Sequence, residues 1–78
     1  MKLSELPVGK TGVIISFTDE ATSLKLMEMG CLPGEKIIVE RIAPLGDPIA
    51  VSVSGYMLSM RKEEASTVLV SPAENIKK

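Results

Sequence analysis

The chain has 78 residues, with 9 Lys+Arg against 10 Asp+Glu, no His, no Trp and one Cys. That length holds one domain with a thin core, since folding at this size buries only about 60% of the surface an unfolded chain exposes. The lack of His removes the commonest general acid–base and the commonest transition-metal ligand, and the lone Cys31 excludes an intramolecular disulfide and a thiolate zinc cluster.

Residues 11–17 read as a first strand, with Val13, Ile15 and Phe17 facing the core. Residues 20–29 read as a helix: Asp19 caps its start and Gly30 suits the left-handed residue after its end. Its apolar residues fall into two sectors, Leu24, Met27 and Cys31 in one and Leu26 and Met29 in the other, which predicts core on both sides. Residues 36–42 read as a second strand. Its period leaves open whether Ile37 and Val39 or Ile38 and Ile42 point inward. Pro44-Leu45-Gly46-Asp47-Pro48 is a stiff connection whose only large apolar residue, Leu45, either folds inward or presents an apolar tip.

A hairpin follows. Ile49, Val51 and Val53 alternate with small or polar residues, as do Tyr56, Leu58 and Met60. A two-residue loop at Ser54-Gly55 pairs Val53 with Tyr56, Val51 with Leu58 and Ile49 with Met60, placing all six on one face. A one-residue slip would turn that set toward water. Lys62 to Ser66 suits a single helical turn, and Val68-Leu69-Val70 a short closing strand. The expectation is one mostly-β domain over residues 1–78, with its core at about residues 3–70 and a short tail over 71–78.

Several function classes are disfavoured. Acids and bases are interspersed at a net charge of −1, and only Phe17 and Tyr56 are available to stack on bases, which argues against nucleic acid as a partner. No apolar run exceeds three residues, and the start, Met1-Lys2-Leu3-Ser4-Glu5, runs into Pro7 and Gly9 without a signal-peptide core. A cytoplasmic protein without membrane insertion is expected. Gly9-Lys10-Thr11 echoes the end of a phosphate-binding loop, but Ser4 stands where the first Gly is needed and a strand follows where a helix should. Methionine thioethers suit copper(I), yet helical spacing alone accounts for Met27 and Met29, and Met60 reads as core filler. No catalytic, cofactor-binding or metal-binding residue is assigned, and no enzyme activity is expected. Once the inward faces are assigned, Leu45, Met57 and the helix methionines Met27 and Met29 remain as large apolar residues; these are the candidate partner-binding residues.

The order of segments resembles the FeoA family, small cytosolic proteins that accompany the bacterial ferrous iron transporter FeoB. The resemblance rests on Leu3-Ser4-Glu5-Leu6 with Gly9, Leu26-Met27-Glu28-Met29-Gly30 with Pro33-Gly34-Glu35, and Ala43-Pro44-Leu45-Gly46-Asp47-Pro48-Ile49. It continues through Gly55-Tyr56 with Leu58, Met60-Arg61 and Glu64-Ala65. Cys31 and Met60 depart mildly from it, standing where Leu, Phe or another apolar residue is usual. The resemblance implies an SH3-like β-barrel with one α-helix inserted after the first strand. It also implies an accessory or regulator of ferrous iron uptake that contacts the cytosolic GTPase part of the transporter; self-association stays open. Three alternatives are weaker. The lack of His argues against a stand-alone iron-binding carrier, the assignment of Tyr56 to the core leaves no aromatic groove for reading peptides, and the net charge disfavours an RNA-binding barrel.

Overall fold

The computed structural model describes residues 1–73. Five strands, β1 (Thr11–Phe17), β2 (Lys36–Ile42), β3 (Ile49–Val53), β4 (Tyr56–Met60) and β5 (Val68–Pro72), form one sheet in the order β4-β3-β2-β1-β5. Every pairing is antiparallel. Helix α1 (Glu20–Glu28) is inserted between β1 and β2, and the single turn α2 (Lys62–Ala65) joins β4 to β5. A 3₁₀ turn, Leu3–Glu5, precedes β1 and drives Leu3 and Leu6 into the core.

The β3–β4 hairpin has the expected register, with Val53 opposite Tyr56, Val51 opposite Leu58 and Ile49 opposite Met60. Ser54 and Gly55 both take positive φ, 52° and 80°. That backbone matches the right-handed twist of the flanking strands. Ile49, Val51, Val53 and Met60 are buried and Leu58 packs against them, but Tyr56 is 65% exposed. Alternation places Tyr56 on the inward face; it cannot say that the core ends before the tip of an edge strand.

Strand β1 is inverted relative to its predicted facing. Ile14 is 1% exposed and Ile15 is 55% exposed, while Val13 is only half-buried. The inward set is Gly12 and Ile14. A Cβ on Gly12 would lie 3.1 Å from the Val70 Cβ and 3.3 Å from Leu6 Cδ2, so neighbouring side chains occupy its place. The β1–β5 register then shifts between Ile14 and Ser16, leaving Ile15 as the extra residue of a bulge and returning Phe17 to the core edge. A second shift, between Val39 and Arg41, resolves the ambiguity in β2. Ile37 and Val39 are buried before it, and Ile42 packs on the core after it.

The two-sided burial predicted for α1 does not occur. Ser23 and Leu26 are its buried residues, Leu24 is exposed and Met27 is half-buried. One helix against one sheet of this size has a single layer to pack on. The predicted tail begins within β5, which runs to Pro72 because Gly12 and Val13 pair with Pro72 and Ser71. The remainder, residues 74–78, lies outside the described residues.

Candidate protein-binding surface

Helix α1 is fixed at both ends by local chemistry. The Thr22 N–H donates to Asp19 Oδ2 at 2.9 Å, and the Thr22 hydroxyl donates to the same oxygen. These bonds hold the Asp19 carboxyl below its ordinary range, the hydroxyl contributing most. At the other end Gly30 has φ +100°, its N–H donates to the Met27 carbonyl, and the Cys31 N–H donates to the Leu26 carbonyl. This is the Schellman closure, with Cys31 and Leu26 as its buried apolar pair. Cys31 is therefore a packing residue, and burial pushes its thiol up, away from the reactive thiolate.

These ends also place α1 beside β4, the edge strand of the sheet. The Ser54 hydroxyl lies 3.1 Å from Glu35 Oε1 and 3.4 Å from the Gly30 carbonyl, tying the helix exit to the hairpin turn. Near the helix middle, Lys25 forms an ion pair with Glu64 of α2. Glu64 also accepts from the Arg61 N–H at 2.9 Å, and Asp47 Oδ1 accepts from the Lys62 N–H at 2.9 Å, so the 44–48 loop caps α2. Lys25 above all, with the Arg61 N–H, holds the Glu64 carboxyl below its usual value.

A depressed carboxylate stabilises the fold above its unfolded pKa, and that contribution disappears as pH falls through the lower folded value. Stability should thus decline on acidification below about pH 4.3. Glu64→Gln should flatten that decline and cost less than about 1 kcal/mol at neutral pH, because the pair is at the surface. Asp19 acts in the same direction and its share should survive in the variant. Urea titrations at pH 3–7 check this; identical pH slopes for both proteins would show that the pair carries no linkage.

Between the C-terminal half of α1 and β4 lies an apolar cleft of about 430 Å³, lined by Met27, Met29, Tyr56 and Leu58, with Glu28 and Gly30 at its margin. The structure thus brings two of the four candidate residues, Met27 and Met29, onto one surface. Leu45, at 96% exposure, is the presented tip of the β2–β3 loop, at the far end of the hairpin from Ser54-Gly55. Met57 is exposed on the opposite face of β4 from Leu58. Sequence reasoning missed Tyr56 and Leu58 as surface residues. The usable signal was the hairpin itself: its second strand, Tyr56-Met57-Leu58-Ser59-Met60, leads into a helical turn rather than another strand.

Gly9-Lys10-Thr11 forms a turn into β1, with Gly9 at φ +86° donating its N–H to the Val39 carbonyl at 2.7 Å. Among the described residues no group of three or more His, Cys, Asp or Glu side chains is placed to hold a metal ion. Also among them, no helix is long and apolar enough to cross a membrane.

A family model described as the FeoA domain matches residues 1–72. The chain belongs to the FeoA family. A relative from Porphyromonas gingivalis, a fusion of Fe(2+) transport protein A with the Fe(2+) transporter FeoB, is 35% identical over 85 aligned residues covering 96% of this chain. The chain spans only 10% of that relative's length. The solution structure of FeoA from Chlorobium tepidum superposes with a TM-score of 0.89 at 40% identity, covering 99% of this chain and 74% of that one. The crystal structure of Stenotrophomonas maltophilia FeoA complexed with zinc, described as an SH3 domain protein, gives 0.81 at 33% identity. That match covers 91% of this chain and 89% of the other. The FeoA assignment and the SH3-like, mostly-β fold with an inserted helix therefore stand on independent matches of sequence and shape.

Proposed function

We propose that this FeoA-family chain is a non-enzymatic accessory of a FeoB-type ferrous iron transporter. It acts in the cytoplasm by binding the transporter's GTPase part and modulating Fe(II) uptake. The observation that carries this reading is the fusion relative, in which a domain like this one and a ferrous iron transporter are one chain. Fusion keeps two partners at high effective concentration. Partners that work together also need a contact surface, and the cleft of Met27, Met29, Tyr56 and Leu58 is an apolar surface that this fold offers. Interface centres are enriched in aromatic residues and Met and depleted in charge. Methionine also reshapes to fit a partner. Leu45, at the far end of the hairpin, and Met57, on the other face of β4, lie outside this cleft and are secondary candidates for contact.

The test is ferrous iron uptake in cells that carry the transporter and lack the native accessory. Met29→Ser and Tyr56→Ser should each lower complementation and weaken binding to the purified GTPase part. Losses on the order of 10-fold or more are expected for central residues of an interface. Met57→Ser and Leu45→Ser should give smaller losses. Circular dichroism must show all four variants folded. Wild-type uptake in all four would mean the surface is elsewhere; full uptake without the accessory would sink the transporter reading itself.

A further inference from the structure

The exposed edge of β4 carries an arrangement that the docking cleft does not use. In a two-residue hairpin the residues flanking the loop exchange both backbone hydrogen bonds, and such pairs alternate with pairs that exchange none. Val53–Tyr56 flanks the loop, so Tyr56, Leu58 and Met60 direct their peptide groups at β3. Met57 and Ser59 direct theirs away from the sheet. Strand β4 has no hydrogen-bonded strand on that side, and neither residue makes a backbone hydrogen bond outside the ladder among the described residues. Met57 and Ser59 are both exposed.

Natural edge strands are blunted by Lys, Pro, bulges or inward charges. Strand β4, Tyr56-Met57-Leu58-Ser59-Met60, has no charge and no Pro, and its register against β3 is unbroken. The opposite edge, β5, is treated differently: it ends on Pro72, and Leu69 and Val70 are engaged by the N-terminal residues Lys2 and Met1. One edge is covered while the other is left open.

We infer that the β4 edges of two copies of this chain pair antiparallel about a two-fold axis through Leu58. This register opposes Met57 to Ser59 of the second copy and Ser59 to its Met57. Each is a pair that exchanges both bonds, so four hydrogen bonds satisfy every outward peptide group of the two residues. Leu58 then faces Leu58 across the axis as a pair without hydrogen bonds, the class with the closest side chains. Strand β4 carries no charged residue, so this register opposes no like charges within the ladder. The self-complementary set of four hydrogen bonds makes a second copy the occupant.

Sedimentation equilibrium of the purified full chain, without transporter, tests the inference. Wild type should show concentration-dependent dimerisation. The double variant Met57→Lys/Ser59→Lys places like charges opposite each other twice and should weaken the dimer about tenfold. Met57→Lys/Ser59→Glu places opposite charges in the same pairs and should restore it. Ser59→Pro removes an outward N–H where an edge strand tolerates Pro, and it should also weaken association. Circular dichroism must show each variant folded. A monomer at all concentrations would overturn the inference, and so would a dimer indifferent to the charge reversal. Because no transporter is present, failure here leaves the proposed function intact, and failure of uptake assays leaves the dimer intact.

Discussion

Leu26→Ala should lower the unfolding free energy by about 2–5 kcal/mol, as expected for truncating a buried Leu. Leu26 is fully buried, and it is the one large side chain of α1 that is. Its backbone carbonyl also accepts the Cys31 N–H that closes the helix. Loss of its side chain leaves a hole beneath α1 that the sheet cannot close, because the strands are fixed by their own ladders. For a domain this small the total is near the lower end of the usual range, about 5 kcal/mol, so a large share of the molecules should unfold. Leu24→Ala, two residues earlier on the exposed side, should change stability by no more than about 0.5 kcal/mol. Urea midpoints of the two variants decide the matter. Equal midpoints would mean that α1 does not pack through Leu26.

Ile14→Ala and Ile15→Ala should differ as sharply, although the two residues are identical and adjacent. Ile14 is buried in the core, opposite Val70 of β5, and its loss should cost about 2–5 kcal/mol. Ile15 is the bulged residue and mostly exposed, so its truncation should cost less than about 1 kcal/mol. The reverse order would restore the facing predicted from alternation and would mean that the bulge is absent. The same denaturation experiment reads both variants, and native m-values would show that the unfolding transition is unchanged.

What could be read from residues alone was whatever depends on neighbours a few positions apart. The hairpin register follows from a strict period of two on both arms and from a loop dipeptide that tolerates positive φ. The ends of α1 follow from Asp19 and Gly30, whose effects reach only three or four residues. The absence of His and of a basic patch shaped the functional reading, and the Met-Gly-x-x-Pro-Gly-Glu and Ala-Pro-Leu-Gly-Asp-Pro pieces carried the family resemblance.

Tertiary structure decided which side of each element meets the core. In β1 the alternating apolar set Val13, Ile15 and Phe17 is a better pattern than Gly12 and Ile14, yet the second set is inside. Gly12 leaves room that Val70 and Leu6 fill, and a bulge changes the phase before Phe17. No local pattern encodes a vacancy filled from another strand. The candidate surface has the same origin. Met27 and Met29 are ambiguous on a helix, and Tyr56 and Leu58 look like core on a strand. Only the placement of α1 beside an edge strand, through Lys25–Glu64 and the Ser54 contact, turns these four side chains into one cleft. Periodicity determines the direction of a side chain, whereas burial depends on what the rest of the chain places opposite it.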